Sequence, residues 1–283
     1  MSTVSENTRR ATFVEELRKL PAFFRRDLLV MWSYRLAFFT DWLNLLMQVV
    51  VFFFVGRIVN PGQLPTYGGT RATYMEFVVI GIAVTSFMQI SLGRVVTAIR
   101  AEQLQGTLEA LLLTPTAPTT LQLGSVVYEL AYVPLRMLIF LALATSLFGV
   151  SFTYSGLLPA LTVLLVLIPF VWGLGVMSVA GVLTFRRGIG VVGFGATALT
   201  LSSGTYFPIS VLPPWLESLA RLNPITMAVQ SIREALIGGA GWAQTWPTTL
   251  VLIPIGFVSM AAGIVAFRLA LGRERRRGTI GLY

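Results

Sequence analysis

The sequence predicts an all-α membrane protein of six transmembrane helices, on three observations. Of its 283 residues, 55% are hydrophobic and only 12% charged, with a mean hydropathy of +0.77; a soluble domain carries about 25% charged residues. Six apolar runs of roughly twenty residues or more, the length a bilayer core demands, are separated by short polar links. The basic residues are also divided unevenly between alternate links, as orientation by cytoplasmic Lys and Arg requires.

Residues 1–10 are polar and expected to be disordered. From Thr12 to about Tyr34, Phe13, Leu17, Leu20, Phe24, Leu28 and Met31 recur every three or four residues. Arg18, Lys19, Arg25 and Arg26 occupy other faces, and Pro21 is expected to kink the run. An amphipathic helix lying in the membrane interface fits this pattern, and so does a basic lead-in to the first span. No cleavable leader is expected, because the first thirty-five residues lack a compact apolar core before a small-residue cleavage site.

The spans are read at 36–58, 74–97, 119–149, 156–184, 188–209 and 247–270, with a basic tail at 271–283. With both termini cytoplasmic, that side holds seven bases up to Arg35, then Arg94, Arg100, Arg186, Arg187 and five from Arg268 onward. The outer side holds four, Arg57, Arg71, Arg221 and Arg233, and Arg136 falls within a span. Tyr154, Trp215, Trp242 and Trp246 lie near the outer boundary, as an aromatic belt would. The link 185–187 is short enough to force spans four and five into an antiparallel hairpin. No inverted repeat is visible, which disfavours a secondary transporter.

Composition excludes several kinds of chemistry. With no Cys and no His, the chain cannot build metal sites on thiolate or imidazole, and has neither thiol redox nor His acid–base chemistry. Its one lysine, Lys19, follows no Gly-x-x-x-x-Gly, so a Walker-type phosphate cradle is impossible. The net charge of +9 does not signal nucleic-acid binding, because the bases sit at the ends and in short links between spans.

Between spans two and three lies an amphipathic island, Glu102-Gln-Leu-Gln-Gly-Thr-Leu-Glu-Ala-Leu-Leu-Leu-Thr-Pro115. As a helix over 101–114 it would place Leu104, Thr107, Leu108, Leu111 and Leu112 on one face and Glu102, Gly106 and Glu109 on the other. Glu102 would open the first turn, where a carboxylate suits the helix dipole, and Pro115 and Pro118 would end it. Two readings remain at this point: a helix floating on lipid, or a docking helix whose acidic, glycine-notched face meets a soluble partner.

On the other side, Pro213 and Pro214 suit the first turn of a short helix ending near Arg221. Asn223 can cap a second helix from Pro224 to about Ile237. Both are too short to span, leaving either half-helices dipping into the outer leaflet or an ordinary external hairpin. Ionisable groups inside spans are candidates for function, namely Asp41, Glu129 and Arg136, with Tyr132 nearby; Glu76 is expected at the interface. Glu129 and Arg136 share a helix face but stand about 10 Å apart in rise, so they are not expected to pair directly. They would line a polar stripe or bind other helices. The small residues from Gly188 to Gly204 permit close helix packing.

The stretch Gln105-Gly-Thr-Leu-Glu-Ala-Leu-Leu-Leu-Thr-Pro115 resembles the cytoplasmic coupling segment of ABC-2 type transporter permeases. Ser203-Gly-Thr-Tyr-Phe-Pro-Ile-Ser-Val-Leu-Pro-Pro-Trp-Leu-Glu-Ser-Leu-Ala-Arg-Leu-Asn-Pro-Ile225 resembles that family's stretch between spans five and six. With the six-span layout, the resemblance covers nearly the whole chain. It implies a cytoplasmic tail and interfacial helix at 1–35, a transmembrane domain at 36–270, and re-entrant helices within 213–237. It implies coupling to an ATPase through Glu102, Gly106, Thr107, Glu109 and Pro115, and an extracellular gate of Phe207, Pro208, Trp215, Asn223 and Pro224. ATP and Mg would be bound by separate ABC ATPase subunits, with no cofactor in this chain. A second permease subunit would complete the pathway in a bacterial or archaeal cytoplasmic membrane.

An interior with few charges suits drugs, lipids or other amphipathic molecules better than a polysaccharide, the alternative cargo. An ion-coupled carrier or channel would instead use Asp41, Glu129 and Arg136 as its path. An intramembrane enzyme is disfavoured by the scatter of the carboxylates.

Overall fold

A computed structural model describes residues 35–277 apart from 60, 61, 63, 105–131, 133, 134 and 185–187, together with Pro21, Phe24, Arg25, Leu28, Leu29 and Ser33. Those six positions are helical, while the rest of the expected interfacial helix lies outside the described residues.

Helix α1 (Arg35–Gly56) is followed by a two-stranded hairpin, β1 (Thr66–Tyr67) and β2 (Thr70–Arg71), with Thr66 opposite Arg71. Its turn is Gly68-Gly69, both at positive φ (54° and 82°), the geometry that suits tight hairpins and that glycine adopts without a Cβ penalty. Helix α2 (Tyr74–Leu104) is a single run of 31 residues. Its start is a reciprocal cap: the Thr73 amide donates to Glu76 Oε2 at 2.9 Å, and the Glu76 amide donates to Thr73 Oγ1 at 3.3 Å. Ser151 donates to Glu76 Oε1 at 2.6 Å, so this carboxylate is buried as a capping group.

Helices α3 (Leu135–Phe148), α4 (Leu157–Thr184) and α5 (Gly188–Ser202) follow. Two short helices, α6 (Pro214–Leu222) and α7 (Pro224–Leu236), precede the long α8 (Trp242–Arg277). The most extensive helix contact joins α4 to α8. Glycine makes it close: a Cβ on Gly263 would meet the Gly173 carbonyl at 2.6 Å, and one on Gly173 would press on Ser259. Ser259 seals the seam by donating to the Phe170 carbonyl, which lies one residue after the helix-interior Pro169.

The middle of the first half of α2 is the centre of the core: Phe77, Val78, Val79, Ile80, Ile82 and Val84 are all fully buried. The outside of the bundle is also apolar. Leu36, Phe39, Leu43, Met47, Val51 and Phe54 form an exposed stripe on α1, and Phe257, Val258, Val265 and Leu269 another on α8. A contiguous apolar exterior of this kind is the surface of a protein whose solvent is lipid. Among the described residues, two helices are long and apolar enough to cross a bilayer, Tyr154–Val182 and Trp242–Arg273; Trp42–Gly56, Tyr74–Gln89 and Leu135–Phe148 are shorter apolar helices.

Three expectations are corrected and one is refined. The fifth apolar run is helical only to Ser202, not 209, because Ser203 and Gly204 turn out of the helix with Gly204 at φ 70°. The last helix runs from Trp242 to Arg277 rather than over 247–270, since the Arg-rich sequence after 270 keeps helical geometry and basic residues suit a helix C-terminus. Glu76 is buried in the protein as a helix cap, a role the expectation of an interfacial position did not include. Glu102 lies in the final described turn of α2, not in the first turn of a separate helix, so the dipole argument for it fails.

Candidate functional site

At the end of the bundle that carries the hairpin, the chain builds a cap from the loop after α5, from α6 and from α7. The cap exists because of its prolines and one asparagine. Pro214 and Pro224 take the first helical position of α6 and α7, where the missing N–H costs nothing. Asn223 ends α6 and starts α7: its side-chain oxygen accepts from the Ile225 amide at 3.0 Å. Its amide nitrogen donates to the Leu199 carbonyl at 2.9 Å and to Ser202 Oγ at 3.2 Å, tying both short helices to the end of α5.

Helix α6 stays at the surface, with Trp215, Leu219 and Leu222 exposed along one face and an Arg221–Glu217 ion pair at 2.6 Å. Helix α7 is sunk into the bundle; Ile225, Ala228, Val229, Ile232, Ala235 and Leu236 are buried. A Cβ on Gly156 would overlap the Ala235 backbone, so the start of α4 touches α7 directly.

Among these buried residues is a charge. Arg233 has no exposed surface, and its guanidinium donates four hydrogen bonds to backbone carbonyls. Nε and Nη2 donate to the Phe77 carbonyl at 3.1 and 2.9 Å. Nη1 donates to the Gly204 carbonyl at 2.9 Å, and Nη2 also to the Thr205 carbonyl at 3.0 Å. The guanidinium lies over the Phe77 ring, 3.4 Å from its centroid. Gly81 leaves the space, since a Cβ there would come within 2.9 Å of Nη2 and overlap the Thr205 carbonyl. The planar five-donor fork suits this task, joining a helix to two carbonyls of a broken strand of backbone.

The loop is fastened elsewhere too. The Tyr206 ring stacks on Phe52 of α1 (4.9 Å, 11°), and its hydroxyl accepts from Gln48 at 3.0 Å. Tyr74 donates to the Tyr206 carbonyl at 3.2 Å. Ser203 and Thr205 share a 2.6 Å hydrogen bond and are fully buried. On the hairpin, Tyr67 donates to Gln230 Oε1 of α7 at 2.8 Å. Burial pushes the Tyr67 phenol above its ordinary value, and the nearby Arg233 cation pulls it partly back.

Of the residues nominated for the gate, Asn223 and Pro224 sit together at the α6–α7 junction. Phe207 and Pro208 are half-buried in the loop, while Trp215 is exposed on α6. Tyr154, Trp242 and Trp246 are exposed on elements at this same end. Of the intramembrane group, Arg136 on α3 is buried, stacks over Trp42 of α1 at 5.5 Å, and has its Nε without a hydrogen-bond partner. Tyr132 is helical one turn before it, and Asp41 is on α1. Glu129, Gly106, Thr107, Glu109 and Pro115 lie outside the described residues. Among the described residues no group of three or more acidic side chains could hold a metal ion.

Sequence reasoning placed Arg233 among the outer bases and missed its role, along with those of Gln48, Tyr67 and Tyr206. A signal was available: Arg233 lies four residues after Val229 and three before Leu236, on the apolar stripe of its helix.

A lipid-facing apolar exterior around a helical bundle, with a cap of half-length helices at one end, defines a mostly helical membrane protein. Residues 18–237 match the ABC-2 type transporter family, and the chain belongs to it. It is similar to the inner membrane transport permease YadH of Escherichia coli K12, 30% identical over 175 residues. That match covers 59% of this chain and 64% of YadH. A shorter match, 27% identical over 96 residues, relates it to the linearmycin resistance permease protein LnrN of Bacillus subtilis, over 34% of this chain and 25% of LnrN.

Proposed function

We propose that this chain is the membrane-spanning subunit of an ATP-driven exporter, with six spans and both termini cytoplasmic, working beside separate ABC ATPase subunits and a second permease subunit. The observation that carries the reading is the continuity of α2. One helix joins Glu102, at the edge of the amphipathic island, to Phe77, the acceptor of Arg233. At 1.5 Å per residue the two are about 38 Å apart, close to the thickness of a membrane. Closure of the ATPase dimer against Glu102, Gly106, Thr107, Glu109 and Pro115 would move α2 as a rod, and Arg233 would pass that motion to α7 and the loop.

The cap is suited to be an outer gate of Phe207, Pro208, Trp215, Asn223 and Pro224. Helix α5, at 15 residues, is about 22 Å long and falls short of a hydrocarbon core of about 30 Å. The Ser203–Leu212 loop would then sit at membrane depth, where irregular backbone survives only if protein groups satisfy it. Arg233 supplies such groups to Gly204 and Thr205. Asp41, Tyr132 and Arg136, with Glu129, are the proposed polar contacts of the path. The preferred cargo is a hydrophobic or amphipathic molecule, a drug, lipid or glycolipid. The sparse charge of the spans and the resistance role in the name of LnrN support it.

Substitution of Glu102 and Glu109 by Gln in the assembled complex tests the coupling. Substrate-stimulated ATP hydrolysis should fall while basal hydrolysis by the ATPase persists; unchanged stimulation would refute the coupling role.

A further inference from the structure

The hairpin end of the bundle holds a cavity of about 420 Å³ outside the cap, between the end of α1, the chain leading into β1, and the start of α2. Its walls include Phe53, Val59, Leu64 and Met75, and two arginines line it, Arg57 and Arg71. Both arginines are exposed. Arg57 has an aromatic contact, lying 5.2 Å from the centroid of Phe53. Among the described residues neither arginine is paired with a carboxylate. The acid nearest in sequence to Arg71, Glu76, is committed to the Thr73 amide and to Ser151. Two like charges therefore share an apolar-walled cavity with no counter-charge from the described residues.

We infer that this cavity binds the headgroup of an anionic phospholipid, its phosphate held between Arg57 and Arg71 and its acyl chains running out over Phe53 and Met75. A guanidinium fork matches phosphate oxygens in geometry and charge. The exposed apolar stripe of α1, with Met47, Val51 and Phe54 below Arg57, offers the chains a continuous path into the bilayer. The size of the cavity suits a headgroup rather than a whole lipid. The site stands whichever molecule the permease exports, because it lies outside the cap and the proposed path.

The test is native mass spectrometry of the purified chain released from mixed phosphatidylglycerol and phosphatidylcholine, comparing wild type with Arg57→Gln/Arg71→Gln. Wild type should retain phosphatidylglycerol over phosphatidylcholine. The double variant should bind it about tenfold more weakly or less, while Arg57→Lys/Arg71→Lys keeps part of the preference and Arg221→Gln, on the exposed face of α6, keeps all of it. Equal retention by wild type and the double variant would overturn the site. So would binding of inorganic phosphate alone without lipid preference, which would make it a free-phosphate site. A thermal midpoint for the double variant close to that of wild type shows that a loss of lipid is not a loss of fold. If the double variant unfolds, the lysine pair and the single Arg71→Gln variant carry the same comparison.

Discussion

Replacing Arg233 by Met tests the cap at its centre. The change strips four hydrogen bonds and leaves the Gly204 and Thr205 carbonyls buried without their guanidinium donors. Each such group costs about 1–3 kcal/mol, and the Phe77 carbonyl keeps its own helical donor. Removing a buried cation also removes its desolvation cost, which offsets part of the loss. The net destabilisation expected is about 2–4 kcal/mol. Arg233→Lys should fall between, because a single ammonium cannot serve α2 and the loop together. The control is Arg221→Met, which breaks an exposed i,i+4 ion pair within α6 worth about 0.3–0.5 kcal/mol. Unfolding by SDS titration in mixed micelles, followed by tryptophan fluorescence, would rank the variants. A midpoint for Arg233→Met as close to wild type as that of Arg221→Met would refute the argument that carbonyl satisfaction holds the cap together.

Other expected outcomes follow from single contacts. Gly156→Ala should destabilise the fold by about 1–3 kcal/mol and lower the same midpoint, because the added Cβ overlaps the Ala235 backbone; Gly181→Ala, with open space around it, should leave it unchanged or slightly raised. Tyr67 loses its proton above the ordinary phenol range when folded, so its contribution is complete below about pH 10 and is lost as pH rises through the raised value. Tyr67→Phe should reduce this alkaline decline in an unfolding series across pH, and a decline in the variant as large as that of wild type would assign it elsewhere.

Much of this architecture could be read from local signals. Pro213-Pro214 and Asn223-Pro224 marked two short helices, and helices begin at Pro214 and Pro224 with the Asn223 side chain capping the second. Those signals are local, a fixed φ and a side-chain acceptor within two residues, and survive without knowledge of the fold. The Gly68-Gly69 hairpin was not anticipated, because the strands flanking its turn are only two residues long and fall below what alternation can reveal. The end of α5 was misjudged because apolar composition continues past Ser202 while the backbone does not. Hydropathy measures solvent preference, and helix ends depend on where carbonyls find partners. Arg233 was hidden for a related reason: its partners are backbone carbonyls 28 to 156 residues away, which leave no complementary side chain to notice in the sequence. A carboxylate partner would have suggested a pair; a carbonyl cannot.

The central claim is that energy applied at the 102–115 segment reaches the cap through α2 and Arg233. The chain has no cysteine of its own, so a single cysteine at the exposed Ser210 can carry an environment-sensitive fluorophore. In the complete complex with its ATPase, reconstituted in lipid, addition of ATP and Mg should change the emission of that probe. Glu109→Arg should abolish the response, and Arg233→Lys should weaken it without weakening ATP binding by the partner. A probe indifferent to ATP in the wild-type complex, or one that responds equally in both variants, would contradict the account.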